Sequence, residues 1–335
     1  MLKIAIAGAG GFATAIAKLL SSYKKFEIAV WSLVKEEIES IKKHAENVKY
    51  LPKIKLNLNE INFTTNEEIF KKADLIIFAV ASKFLRNVAK KICKNFKKDA
   101  LILNLSKGLE QNTFKRLSEV LFEETNSKKI VVLSGPSHAE EVAKFLPTTV
   151  VASCKNNELA KQVQKILNSL VFRVYVSDDI VGVEIGAALK NIIAIAVGIC
   201  DGLNLGDNAK AALITRGLVE IKRFGVFMGA NPKTFSGLSG LGDLVVTCTS
   251  LHSRNKKAGF LIGKGLKIKN ALEEVNKTVE GYWATKAVYE FSKIKKIDMP
   301  ITEQLYKILY ENFNVENAIK NLMQRNVKHE YKDFF

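Results

Sequence analysis

The sequence predicts an α/β domain built on a parallel sheet over residues 1–177, followed by an all-α domain over residues 178–335. Three observations lead there. Short apolar runs alternate with amphipathic stretches through the first half, strand-like runs nearly vanish after residue 180, and the first apolar run ends in a glycine-rich turn. Continuous apolar strands separated by helices imply a parallel sheet covered on both faces, because the crossover helices leave neither face to water.

Strands are expected at LKIAIA (2–7), FEIAVW (26–31), DLIIFAV (74–80), ALILNL (100–105), KIVVLS (129–134), TTVVAS (148–153) and FRVYV (172–176). Helical patterns lie between them over 11–22, 84–95, 113–125 and 157–169. Ser177, Asp178 and Asp179 read as a helix cap. Beyond them IVGVEIGAALKNIIAIAVG, AALITRGLVEIKRFGVFMG, GYWATKAVYEFSKIK and TEQLYKILYENF are helical patterns, with no Gly/Ser-rich or Pro-rich linker and no internal repeat.

Bulk composition narrows the function classes. With 335 residues, 47% hydrophobic and 25% charged, the chain is long enough for two cores and is neither disordered nor fibrous. The net charge of +17 suits an anionic partner, but only seven of the 51 basic residues are arginine and the lysines are scattered. That pattern argues against a nucleic-acid surface. Cys93, Cys154, Cys200 and Cys248 lie far apart, without a CxxC pair or a histidine at metal spacing, so reduced thiols and no metal are expected. MLKIAIAGAG does not read as a signal peptide, and Glu184 with Lys190 and Asn191 interrupts the longest apolar run, so no integral membrane segment is expected.

In IAIAGAGGFATAIAKLL, Gly8 and Gly10 stand directly after a strand and before a helix. Such glycines let a pyrophosphate approach the backbone at a helix N-terminus, and Ala13 is the small residue that the third position of a dinucleotide fingerprint tolerates. No acidic residue follows the second strand before Glu36, so the ribose-binding carboxylate of an NAD site is missing from its usual place; Ser32 and Lys35 lean slightly toward the 2′-phosphate of NADP.

Three further clusters carry chemistry. LNLSKGLE sets Lys107 just past a strand on the edge where open α/β sheets bind ligands, although a surface lysine in a turn would read the same. LSGPSHAEEVAKFLP places Gly135, Ser137 and Ala139 in a strand-to-helix turn whose N–H groups suit an anion, or which merely connects the two elements. GLSGLGDLVVTCTSLHSRN surrounds Asp243 with Gly237, Gly240 and Gly242, with Gly229 upstream, and ends on Arg254 and Asn255, a guanidinium fork suited to phosphate or carboxylate. Lys190 stands in one of the most apolar stretches of the chain, where an ammonium without partners is costly.

In this order the clusters resemble the bacterial NAD(P)-dependent glycerol-3-phosphate dehydrogenase family. The resemblance spans nearly the whole chain, through GAGGFATAIA, NLSKGLE, LSGPSHAEEVA, GVEIGAALKNIIAIAVGICDGL, GLSGLGDLVVTCTS, SRN and VEGYWATKAV. It implies a Rossmann-type dinucleotide-binding domain plus a helical substrate-binding and catalytic domain. The implied activity is reversible reduction of dihydroxyacetone phosphate to sn-glycerol 3-phosphate, a cytoplasmic supply of the glycerophospholipid backbone. Dinucleotide contacts carry over to Gly11, Phe12, Lys107, Ala139, Arg254, Thr278 and Glu280. Substrate contacts carry over to Lys107, Gly135, Ser137, Lys190, Asp243, Ser253, Arg254 and Asn255, with Lys190 as the acid/base. Two departures stand out: Ala13 replaces the family's common Gly, and Leu33 and Val34 stand where a basic residue or histidine often follows the second strand. The competing enzyme reading is a two-domain hydroxy-acid reductase with a buried lysine, which the phosphate-suited SRN cluster disfavours. Non-enzymatic alternatives are a dinucleotide sensor or a nucleic-acid binder on the same fold. Helices rich in Ile, Leu, Phe and Tyr leave room for a homodimer.

Overall fold

The computed structural model describes residues 1–276, 278–327 and 329–330, which belong to two compact units. One comprises Met1–Lys107 and Leu117–Ile180, the other Gly108–Arg116 and the chain from Val181 onward.

In chain order the first unit contains β1 (Leu2–Ala7), α1 (Gly11–Ser21), β2 (Phe26–Trp31), α2 (Lys35–His44), β3 (Glu46–Asn47), β4 (Leu51–Lys55), β5 (Ile61–Thr64), β6 (Leu75–Phe78), α3 (Leu85–Ile92), β7 (Leu101–Asn104), α4 (Leu117–Thr125), β8 (Ile130–Ser134), α5 (Ala139–Val142), β9 (Thr148–Ser153), α6 (Asn157–Leu167) and β10 (Phe172–Ser177). Eight strands form one sheet in the order β10-β9-β8-β7-β6-β1-β2-β5, while β3 and β4 pair as a separate hairpin. Alternate residues of a strand face opposite sides. Thus Ile4 and Ile6 join the core that includes Ile16 and Leu20 of α1, whereas Ala5 and Ala7 join the core that includes Leu85 and Ala89 of α3. Every residue of β6, β7 and β8 is buried, as two covered faces require, while the edge strand β10 alternates buried and exposed over Phe172–Tyr175.

All seven expected strands are present, and three features were not expected. The edge strand β5, INFT, has two apolar residues in four, too weak a pattern to stand out. The β3/β4 hairpin is likewise short. Most consequential, β9 runs antiparallel to β8, with Leu133 opposite Ala152, so the sheet is not wholly parallel. The cause lies in the connection. Its only helix, α5, has four residues and advances about 6 Å, too little to carry the chain back along a strand of about 20 Å. The chain therefore doubles back.

From β1 the chain adds β2 and β5 on one side, then crosses to β6 on the other. That reversal leaves a crevice at the carboxyl ends of β1 and β6, the place where open α/β sheets take ligands. Gly8 and Gly10 follow β1, Lys107 follows β7 and Gly135 follows β8; these strands run parallel, so all four residues lie along one sheet edge.

The second unit contains α7 (Ile180–Gly202), α8 (Gly206–Phe227), α9 (Asp243–Thr249), α10 (Arg254–Gly263), α11 (Ile268–Val275), α12 (Glu280–Lys295), α13 (Pro300–Glu311) and α14 (Val315–Met323). By length and apolarity alone α7 could cross a membrane, but 83% of its most apolar stretch is buried inside the protein. A helix apolar all round suits the middle of a globular core equally well. Gly108–Arg116 belongs to this unit, which explains why the helix expected from 113 begins only at Leu117. Leu109 is buried in the helical core, the Phe114 ring lies 5.4 Å from that of Phe291, and Arg116 pairs with buried Glu184 of α7 at 2.8 Å.

Candidate active site

The nucleotide end is built by a turn that only glycine satisfies. Gly8 has φ +110°, and a Cβ there would come within 2.7 Å of the Ala79 carbonyl oxygen. Gly10 precedes α1 without a side-chain cap, and nothing lies within 4 Å of the place its Cβ would occupy. The first turn of α1 thus has no side-chain cap and an uncrowded entry, which fits a pyrophosphate held by backbone donors and the helix dipole. Gly11 and half-buried Phe12 open α1, and a Cβ on Gly11 would lie 2.9 Å from the Tyr50 carbonyl oxygen and 3.7 Å from the Ala139 methyl. The β3/β4 hairpin braces this turn: Asn47 Nδ2 donates to the Ala9 carbonyl and to Thr14 Oγ1, each at 2.8 Å. On the same sheet edge, Lys107 Nζ donates to the Gly135 carbonyl at 3.2 Å and Ser137 Oγ donates to it at 3.0 Å. Gly135 has φ +137°, and a Cβ there would meet Val150 Cα at 2.9 Å.

In the second unit α7 carries Lys190, 6% exposed, and α9 begins with Asp243, 1% exposed. Lys190 Nζ donates to Asp243 Oδ1 and, at 2.9 Å, to Thr247 Oγ1, whose hydroxyl donates back to the Asp243 carbonyl at 2.6 Å. Burial that would make a lone ammonium prohibitive is thereby offset by a carboxylate and a hydroxyl. Close backbone approach sets these positions. A π-helical turn over Leu238–Gly242 leads directly into α9, and a Cβ on Gly186 of α7 would come within 2.5 Å of the Ser239 carbonyl oxygen in that turn. Gly198 and Gly202 of α7 meet Gly259 and Gly263 of α10 in the same manner, and Gly281 brings α12 onto the Asn191 carbonyl. Burial pushes the adjacent Cys248 thiol up to about 12, which leaves it protonated and inert.

A second polar chain runs beside the first. Asn255 Nδ2 donates to Asn191 Oδ1 and Asn255 Oδ1 accepts from Gly281 N, both at 2.9 Å, so one buried amide joins α7, α10 and α12. Ser253 caps α10 by accepting from Lys256 N at 3.2 Å. The first turn of α10 then holds Arg254, Lys256 and Lys257, of which Arg254 and Lys257 are exposed. Cations at a helix N-terminus oppose the dipole; Lys256 already pairs with Asp201 at 2.9 Å, and exposed Arg254 and Lys257 leave this end suited to an anion. Thr278 and Glu280, both half-buried, lie at the start of α12. The sequence reading missed Thr247 and Asn47. Thr247 carries a usable signal, since it stands one helical turn after Asp243; Asn47 has none, because its role depends on the hairpin folding over the glycine turn. Among the described residues no group of three or more His, Cys, Asp or Glu could hold a metal ion.

Fold and site together define a two-domain dinucleotide-dependent dehydrogenase with a buried lysine. The N-terminal family model of NAD-dependent glycerol-3-phosphate dehydrogenase matches residues 3–160 and the C-terminal one residues 179–320. The chain belongs to that family. It is 49% identical over 336 residues to the glycerol-3-phosphate dehydrogenase [NAD(P)+] of Bacillus subtilis, covering 99% of this chain and 97% of that protein. A crystal structure of glycerol-3-phosphate dehydrogenase from Coxiella burnetii superposes with a TM-score of 0.92 at 35% identity, over 97% of this chain and 99% of that one. A ketopantoate reductase from Ralstonia eutropha shares the fold alone, at 13% identity and a TM-score of 0.60 over 96% of this chain and 100% of that one.

Proposed function

We propose that this chain is a glycerol-3-phosphate dehydrogenase that reversibly reduces dihydroxyacetone phosphate to sn-glycerol 3-phosphate with NAD(P)H. In the cytoplasm, its product would serve as the backbone of glycerophospholipids. The observation that supports it most is the Lys190 ammonium, held rigid by Asp243 and Thr247 in a helical unit whose α10 presents an anion-seeking N-terminus.

When bound, the nicotinamide supplies or accepts the hydride. The first unit's part is to hold the dinucleotide: uncapped N–H groups of α1 take the pyrophosphate, and Gly11, Phe12 and Ala139 line the approach. Lys190 Nζ donates to the C2 oxygen of the ketone, polarises it and yields a proton as charge develops there; in the oxidation direction the neutral amine takes that proton back. Asp243 and Thr247 fix the ammonium's direction, so little reorganisation accompanies the transfer. Arg254, Ser253 and Asn255 hold substrate oxygens, with Arg254 as the phosphate fork.

The test is an absorbance assay of purified protein with NADH or NADPH against dihydroxyacetone phosphate and, separately, unphosphorylated keto acids. Turnover of the phosphate ester alone is expected. Turnover of keto acids without it would make the chain a hydroxy-acid reductase instead.

A further inference from the structure

We propose that Glu37 selects between the two dinucleotides and favours NAD over NADP, an inference that rests on the dinucleotide reading above. Of the residues that leaned toward a 2′-phosphate, Ser32 is engaged elsewhere, and Lys35 stands out in solvent in a weak surface pair. Ser32 is 5% exposed and its Oγ donates to Glu37 Oε2 at 3.1 Å while accepting from Val34 N at 3.2 Å. Lys35, 75% exposed at its side chain, pairs with Glu39 at 3.5 Å. Leu33 and Val34 are exposed and bring no charge to the end of β2.

In their place stands a carboxylate that the sequence alone puts too far along the chain. Glu37 lies in the first turn of α2, and its side chain folds back to the end of β2. Tyr50 Oη donates to its Oε1 at 2.9 Å, so both oxygens are held. Tyr50 also ties this carboxylate to the glycine turn: its N–H donates to Asn47 Oδ1 at 3.2 Å, Asn47 Nδ2 donates to the Ala9 carbonyl, and the Tyr50 carbonyl covers Gly11. One network thus shapes the pyrophosphate turn and aims an acceptor pair at the place where the adenosine ribose of a dinucleotide on that turn projects. Glu37 is 17% exposed at its side chain, partly desolvated yet reachable. Ionised, it accepts from a ribose 2′-hydroxyl and repels a 2′-phosphate. Among the described residues the cation paired with it is Lys49 at 3.4 Å, whose side chain is 65% exposed, and an ion pair so open to water gives little compensation.

Direct titration of the full chain with NADH and with NADPH, followed by nucleotide fluorescence and without any second substrate, separates this inference from the identity of the reaction. NADH should bind at least about tenfold more tightly, a difference of about 1.4 kcal/mol. Glu37→Gln keeps the acceptor for Tyr50 but loses the charge; it should close most of that gap, chiefly by tightening NADPH. Tyr50→Phe, which loosens the carboxylate without removing it, should fall between. Equal binding of the two nucleotides by the native chain, or an unchanged ratio in Glu37→Gln, overturns the proposal alone. A preference for NADPH that Lys49→Ala abolishes assigns the 2′-phosphate to that lysine and overturns it as well. Binding of neither nucleotide would remove the dinucleotide reading and this proposal together.

Discussion

The glycine turn of the first unit and the lysine centre of the second solve opposite problems. At Gly8 and Gly10 the protein withholds side chains and caps α1 with none, which leaves the helix N-terminus to a ligand. Around Lys190 it packs side chains so tightly that the ammonium has a carboxylate and a hydroxyl before any ligand arrives. The first device is local, three residues in a row. The second joins residues 53 positions apart and depends on helices meeting at glycines. A local device is readable from a motif; a distant one shows in sequence only as an anomaly, a lysine among isoleucines.

If the two regions are separable, a change in one leaves the other's task intact. The largest effect is expected from Lys190→Ala, which should lower kcat by about 10² or more. Stopped-flow or fluorescence titration should show NADH affinity within about twofold of the native value; a parallel loss of NADH binding would break the division of labour. The converse change is Gly8→Ala. Its side chain would adopt a strained φ and press on the Ala79 carbonyl, so denaturant unfolding should report a loss of about 1–3 kcal/mol and dinucleotide affinity should fall with it.

Asn255→Ala sharpens the comparison within the second unit. It leaves the Gly281 N–H and the Asn191 amide without their buried partner, an expected cost of about 1–3 kcal/mol in chemical denaturation. Dihydroxyacetone phosphate KM should rise more than kcat falls if the amide positions substrate; unchanged kinetics with lost stability would make it purely a joint between helices. The smallest effect concerns Glu220, a buried carboxyl far from either device in role. It accepts from Ile301 N at 2.5 Å, and from Thr302 N at 3.2 Å and Thr302 Oγ1 at 3.0 Å, at the start of α13, and burial pushes it up to about 7. A carboxyl raised from the model-compound 4.5 holds its proton longer in the folded chain than in the unfolded one. Its contribution to stability is therefore complete below about pH 4.5 and fades as pH rises through about 7. Thermal unfolding from pH 5 to 8 should show a shallower decline in Glu220→Gln than in the native chain, with Lys190-dependent activity unaffected in both.

Sequence reasoning was strongest where one element carries its own pattern. The runs of β6, β7 and β8 are buried on both faces, so their apolar continuity announces them, and Gly8 announces the turn because its φ of +110° and the nearby Ala79 carbonyl leave no room for a side chain. It was weakest at the edges. INFT of β5 buries Ile61 and Phe63 but is only four residues long, too short for its alternation to stand out, and the direction of β9 depended on whether four residues of α5 could span the return. The helix expected from 113 failed for a related reason: Phe114, with φ +58°, and Leu109 take their places from the helical core, not from their neighbours in the chain.

By itself the sequence determined the alternation of strands and helices, the dinucleotide turn and the existence of a buried cation in need of partners, because hydrophobic periodicity, glycine's missing Cβ and the cost of desolvating charge are properties of residues. Tertiary structure alone decided that Thr247 joins Asp243 on Lys190, that Asn255 links three helices, and that Glu37 folds back onto Ser32. The first two are hydrogen bonds between elements distant in the chain, whose formation depends on backbone approach that no single stretch encodes; the third joins near neighbours but is held in place by Tyr50 of the separate β3/β4 hairpin region.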